Sequence, residues 1–131
     1  MERVLVIGAN GFLGRKLLPL LASAAEVFAA DLEIGGIGEQ YRPFSLDITD
    51  PEKIDILFDK IAPNLVINTA AMTNVDACED NPALAMRINA EGPRNIARGV
   101  KRCDGRMLTL STDFVFDGTK GNYEETDVPT P

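Results

Sequence analysis

The chain reads as an α/β protein with a doubly wound parallel sheet, and three features of its pattern say so. Val4-Leu5-Val6-Ile7 is a continuous apolar run, the mark of a strand buried on both faces. It leads straight into Gly8, Gly11 and Gly14, after which Leu17, Leu18 and Leu21 repeat with helical spacing. Beyond them strand-like and helix-like stretches alternate, as a parallel sheet with a helix in each crossover requires.

The first strand covers Arg3 to Ile7, and its helix runs from Phe12 to Ala22. Pro19 removes one backbone hydrogen bond there and predicts a kink. Glu26 to Asp31 is the second strand, Gly35-Gly36-Ile37-Gly38 a flexible loop, and Tyr41 to Asp47 a short third strand. Asp50-Pro51 starts a helix, with Asp50 as N-cap and Pro51 in the first helical position. Ile54, Leu57, Phe58 and Ile61 mark one face of it, and Pro63 ends it. Leu65 to Asn68 is the fourth strand, opening into Thr69-Ala70-Ala71. A long helical stretch from Pro82 to Arg102 follows, bent or interrupted at Gly92-Pro93. Met107 to Ser111 is the fifth strand, and a loop-rich tail closes on Pro129-Thr130-Pro131.

Right-handed crossovers arrange these strands in a Rossmann-like order, 3-2-1-4-5, with its switch point between strands one and four. A ligand should therefore sit over the C-terminal ends of those two strands. The fifth strand is left as an apolar parallel edge, a liability unless something covers it. Residues 1–131 thus read as one incomplete domain, truncated before further strands.

Composition narrows the function. With 131 residues, 45% of them apolar, the chain can bury a core and is not disordered. A net charge of −7 argues against nucleic acid and against an anionic membrane as partners. No apolar run approaches the roughly 20 residues that span a bilayer, and no signal-peptide layout is present, so a cytoplasmic protein is expected. Cys78 and Cys103 are too few for a disulfide framework or a metal cluster, and no metal is expected. The absence of histidine removes Ser-His, Cys-His and His-metal chemistry, leaving carboxylate, hydroxyl or cofactor chemistry.

The glycine turn carries the strongest functional signal. A strand that turns sharply into a helix leaves the first N–H groups of the helix unpaired at the positive end of its dipole, a site for a pyrophosphate. Gly8 permits the turn, Gly11 lets phosphate approach the backbone, and Gly14 lets the helix pack close to the strand. Asp31 closes the second strand about 20 residues further on, where a carboxylate accepts from adenosine ribose hydroxyls and repels a 2′-phosphate. Glu33 adds to that repulsion and no Arg or Lys stands between Leu32 and Gln40, so NAD(H) is favoured, with NADP(H) as the second candidate. Asp47 reads either as a turn residue ahead of the next helix or as an acceptor for the adenine amino group, with Ile48 against the base. The small side chains at 69–71 read either as room for a cofactor to pass close to the backbone or as the small residues common wherever a helix packs tightly. Asn89 is disfavoured inside a helix, which points to a specific structural hydrogen bond. Ser111, Thr112 and Asp113 read either as strand-end turn chemistry or as groups holding a substrate carbonyl near the nicotinamide end.

Together these segments resemble the extended short-chain dehydrogenase/reductase superfamily, and within it the dTDP-4-dehydrorhamnose reductases. The resemblance rests on Gly8-Ala9-Asn10-Gly11-Phe12-Leu13-Gly14 and on Asn68-Thr69-Ala70-Ala71-Met72-Thr73-Asn74-Val75-Asp76. Its most specific element is Ser111-Thr112-Asp113-Phe114-Val115-Phe116-Asp117-Gly118, with Tyr123, Glu124, Glu125, Asp127 and Pro129 trailing. The resemblance implies that Asn10, Gly11, Phe12 and Leu13 belong to the pyrophosphate loop and that Asp31 holds the ribose. It implies that Asp47 and Ile48 frame the adenine, and that Ala70, Ala71, Met72 and Thr73 line the path to the nicotinamide. Thr112 would be the hydroxyl member of the catalytic set, with Asp113 beside it near the sugar. Met72 and Phe114 depart from the aromatic or histidine, and the tyrosine, that the family usually carries.

The implied activity is NAD(P)H-dependent reduction of the C4 ketone of a deoxy-sugar nucleotide, in a protein free to form a homo-oligomer. The family also uses a Tyr with a Lys four residues later. Here Ser45 follows Tyr41 and Asp127 follows Tyr123 at that spacing, so the chain is expected to be the cofactor-binding part, without the C-terminal substrate domain. Two other readings stand beside this one. One is a non-catalytic nucleotide-binding module like the regulatory subunit of methionine adenosyltransferase. The other is a sugar-nucleotide epimerase or dehydratase, which the run after Thr112 disfavours.

Overall fold

Strand β1 (Arg3–Ile7) occupies the middle of the sheet because its four apolar residues need cover on both faces. Alternation sends Leu5 and Ile7 to one side and Val4 and Val6 to the other. The computed structural model, which describes residues 1–130, flanks β1 with β2 (Glu26–Asp31) and β4 (Leu65–Asn68). With β3 (Pro43–Ser45) and β5 (Arg106–Thr109) at the edges, all five strands are parallel in the order 3-2-1-4-5. Ile7 is in register with Ala30 of β2 and Asn68 of β4, so three strand ends open at one level.

Helix α1 (Phe12–Leu21) covers the Val4 and Val6 face through Leu18. Helices α2 (Pro51–Ile61) and α5 (Gly92–Arg102) cover the other, burying Ile54, Phe58, Ile96 and Val100 with Leu5 and Ile7. Asp50 caps α2 by accepting from the N–H groups of Glu52 and Lys53 at 3.1 and 3.2 Å. The helix stops at Ile61 because Ala62 turns left-handed (φ 46°) ahead of Pro63. Pro19 lies inside α1, which continues past it for two residues; near the helix end, its missing N–H deprives only the carbonyl four residues back.

Four elements differ from the expectation. Strand β3 begins at Pro43 and not Tyr41, because residues 39–41 form a 3₁₀ turn and Arg42 is left-handed (φ 45°). The long helix after Pro82 is broken earlier than Gly92: α4 (Pro82–Met86) passes into a π-helical stretch, Arg87–Glu91, before α5. A short helix, α3 (Val75–Asp80), stands where no element was expected, started by Asn74, whose Oδ1 accepts from the Ala77 N–H at 2.8 Å. Strand β5 runs 106–109, shifted toward the N-terminus, and leaves Leu108 49% exposed on the sheet edge. Among the described residues no helix is long and apolar enough to cross a membrane.

Candidate functional site

The C-terminal ends of β1, β2 and β4 open into a cleft of about 530 Å³, where the strand order reverses. It brings together Gly8, Gly11, Asp31, Asp47, Ile48, Ala70 and Ala71.

The three glycines of the turn are there for three different reasons. Gly8 has φ +79°, and a Cβ on it would stand 2.6 Å from the Ala70 nitrogen. A Cβ on Gly14 would stand 2.3 Å from the Gly8 carbonyl oxygen and 2.6 Å from the Ala9 Cα. Gly11 is different: its backbone is extended (φ −72°, ψ 172°), and a Cβ would meet only the Gly8 oxygen, at 3.2 Å. The chain's own packing demands glycine at 8 and 14, whereas at 11 the missing side chain leaves open space in the cleft.

Around that space the backbone donors are sorted. Gly8 and Ala9 donate to the Ala30 carbonyl at 2.9 and 3.1 Å, Gly11 donates to Gly8, and Asn10 donates to Asp31 Oδ2 at 2.9 Å. Helix α1 has no side-chain cap, so the N–H groups of Phe12, Leu13 and Gly14 have no partner among the described residues. The Phe12 side chain itself is 86% exposed. Thr69 fastens β4 to the turn, donating from Oγ1 to the carbonyls of Ile7 (3.0 Å) and Gly8 (3.1 Å).

Asp31 thus serves the glycine loop as well as the cleft, its Oδ1 also accepting from the Glu33 N–H at 3.3 Å. At the far end Asp47 accepts from the Thr49 N–H and hydroxyl, both at 2.8 Å. The Thr49 N–H bond, more than the opposing effect of burial, holds the Asp47 carboxyl below its usual range; the Thr49 hydroxyl and the charges of Lys53 and Arg87 add to this. Arg87 donates to the Thr49 hydroxyl at 3.2 Å, so a chain of hydrogen bonds crosses that end of the cleft.

The opposite end is held by asparagines. Asn68, 2% exposed, accepts from the Ala70 N–H and donates to Thr109 on β5. Asn89, in the π-helical stretch, grips the Met72 backbone from both sides, accepting from its N–H at 2.8 Å and donating to its carbonyl at 2.9 Å. Met72 and Thr73 follow the cleft-lining Ala71 on the same loop.

Thr112 and Asp113 lie outside the residues lining the cleft. The Thr112 hydroxyl caps a 3₁₀ turn at residues 113–115, accepting from the Phe114 N–H and donating to Asp113 Oδ1, both at 3.2 Å. The tail beyond is ordered by its own contacts: Phe116 stacks on Tyr123 at 4.2 Å, and Tyr123 donates to Asp117 at 2.8 Å. Thr119 N–H and the Tyr123 hydroxyl lower the Asp117 carboxyl, while Lys120 and the Glu124 N–H lower that of Asp127.

Leu32, Thr49, Leu84, Arg87 and Ile88 also line the cleft and were not expected there. Leu84, Arg87 and Ile88 share an i, i+3, i+4 face, which was the available signal.

A family model described as RmlD substrate binding domain matches residues 1–131. The dTDP-4-dehydrorhamnose reductase of Streptomyces griseus is 41% identical over 128 residues, which cover 98% of this chain and 39% of that protein. A crystal structure of dTDP-4-dehydrorhamnose reductase from Bacillus anthracis in complex with NADP superposes with a TM-score of 0.87 at 33% identity, covering 99% of this chain and 43% of that one. The Thermus thermophilus UDP-glucose 4-epimerase in complex with NAD gives a TM-score of 0.86 at 27% identity, covering 99% of this chain and 45% of its own. The chain therefore spans about two fifths of the length of the curated relatives it matches. A glycine turn at the switch point of a 3-2-1-4-5 sheet and a match over the whole sequence lead to one assignment: this chain belongs to the RmlD substrate binding domain family.

Proposed function

We propose that this chain is the dinucleotide-binding part of an NAD(P)H-dependent reductase that acts on the C4 ketone of a deoxy-sugar nucleotide of the dTDP-4-dehydrorhamnose class. Gly11 carries the cofactor reading. Backbone conformation does not require glycine there and packing bears on it through one atom alone, the Gly8 oxygen at 3.2 Å, while three N–H groups of α1 without a partner among the described residues follow it. An anionic pyrophosphate fits that combination.

A bound nicotinamide cofactor supplies hydride. The chain's part is to hold it: the N–H groups of Phe12, Leu13 and Gly14 take the pyrophosphate, and Asp31, with acceptor capacity left after two N–H bonds, takes the ribose hydroxyls. Asp47 and Ile48 form the adenine end, and Ala70, Ala71 and Met72 the path toward the nicotinamide. Thr112 offers a hydroxyl to the substrate carbonyl and Asp113 a carboxylate to the sugar, once the Thr112 proton leaves Asp113 Oδ1 for the ligand. Relatives named as reductases favour this reading over the regulatory module and the epimerase.

The Asp31 role is testable by calorimetry. Asp31→Ala should weaken NAD(H) about tenfold, the order of one or two hydrogen bonds to a charged group, and should weaken NADP(H) much less. Loosening of the Asn10 loop would act on both cofactors alike, so the difference between them is the readout. Equal losses would contradict the ribose assignment.

A further inference from the structure

The stretch from Leu32 to Gln40 carries no base, yet the fold delivers one beside it from another element. Arg15, the residue after the third glycine, donates from Nε to the Asn10 carbonyl at 2.8 Å and from Nη2 to Asn10 Oδ1 at 2.6 Å. The same Nη2 stands 3.2 Å from where a Cβ on Gly36 would be, so the guanidinium lies between the glycine turn and the loop after β2. Asn10 is shared: its N–H goes to Asp31 and its two oxygens to Arg15. A carboxylate and a guanidinium therefore flank one residue at the adenosine-ribose end.

The positive charge is uncommitted. Arg15 is exposed, and among the described residues no carboxylate lies within ion-pair distance of it. Two of its five N–H groups are used on Asn10, which orients the plane and leaves three donors for an anion. A planar fork held in this way suits a phosphate better than a mobile lysine does. Gly36, with φ +90°, keeps the approach clear, since any side chain there would crowd the guanidinium.

We propose that Arg15 is the cofactor-specificity residue of this chain: it receives the 2′-phosphate of NADP(H), offsetting Asp31, so that one cleft takes both dinucleotides. The inference rests on the dinucleotide reading above and adds which chemical group at the ribose is recognised, and by what.

The probes are 2′,5′-ADP and 5′-AMP, which share the adenosine end and differ at the 2′-phosphate, together with NADPH and NADH. They are titrated calorimetrically into the chain and into Arg15→Gln and Arg15→Lys. Arg15→Gln should weaken 2′,5′-ADP and NADPH about tenfold, as loss of a charge-assisted contact does. 5′-AMP and NADH should change less than about threefold, and Arg15→Lys should retain part of the phosphate preference. Phosphorus NMR gives a reading that needs no variant: the 2′-phosphate of bound 2′,5′-ADP should titrate at lower pH than in free solution. Equal losses for both ligand pairs, no loss for either, or a 2′-phosphate titrating as it does when free would overturn the assignment of Arg15. A wild-type chain that binds NADH normally but shows one of those results overturns this inference alone. A wild-type chain that binds neither dinucleotide overturns the proposed function first, and this inference with it.

Discussion

Gly14→Ala should remove about 3 kcal/mol of stability, the upper end of what overpacking costs, out of the 5–15 kcal/mol typical of a domain. The added methyl would lie 2.3 Å from the Gly8 oxygen and within 2.9 Å of the Ala9 Cα and carbonyl carbon, all of them backbone. Those atoms have nowhere to go. Gly8 and Ala9 both donate to the Ala30 carbonyl, and Thr69 holds the Gly8 carbonyl from the other side. A side chain could rotate away from the new methyl, but this turn would have to pull off β2 or push α1 outward. Urea unfolding measures the effect, and an unchanged midpoint would show that the turn is looser than its contacts require.

The second large effect is on turnover. The 131-residue chain by itself should bind the dinucleotide yet reduce no measurable 4-keto deoxy-sugar nucleotide. Ketone reduction needs a positioned proton donor, a contribution of about 10²–10⁴-fold, and correct placement of the substrate can matter as much. Of the two tyrosines, Tyr123 donates its hydroxyl to Asp117 within the tail, and neither Tyr41 nor Tyr123 has a lysine four residues on. Among the described residues the Thr112 hydroxyl donates to no group but Asp113, and an alcohol donating to one exposed carboxylate gains little acidity. An assay with NADH, NADPH and the sugar nucleotide decides the matter. Turnover close to that of a full-length relative would mean that the proton donor lies within these residues after all.

The three central strands were legible because they are short apolar runs whose neighbours break cleanly, Ile7 into Gly8 and Asn68 into Thr69, whereas the edge strands β3 and β5 are not and their bounds were missed. Helix α2 was legible at both ends, from the Asp50-Pro51 start to the Ile61 stop before Pro63. The elements that escaped depend on tertiary position. Arg42 carries no sequence mark of its left-handed backbone, so the start of β3 could not be placed. Helix α3 is six residues long with no buried residue, too little apolar pattern to register. The π-helical stretch has no compositional sign, although Asn89 in a helix pointed to a specific bond and makes two, both to Met72. Of the residues that line the cleft, Gly8, Gly11 and Asp31 are the ones that spacing alone marks. Spacing marks neither Arg15 nor Arg87: Arg15 bonds Asn10 only five residues back but comes beside Gly36 through the fold, and Arg87 reaches Thr49 from 38 residues away.

The central claim is that the Gly8–Gly14 turn holds a dinucleotide, and titration of NADH and NADPH into the chain and into Gly11→Ala tests it most directly. The methyl meets one atom, the Gly8 oxygen at 3.2 Å, a tight contact relieved by a shift of a few tenths of an ångström and not the 2.3 Å clash of Gly14→Ala, and the backbone there is open to any residue, so the variant should melt within a few degrees of the parent. The parent should bind at least one dinucleotide, and Gly11→Ala should bind it about tenfold or more weakly, since the methyl stands where phosphate approaches the backbone. Dinucleotide affinity unchanged by Gly11→Ala, or no affinity in the parent, would contradict the account.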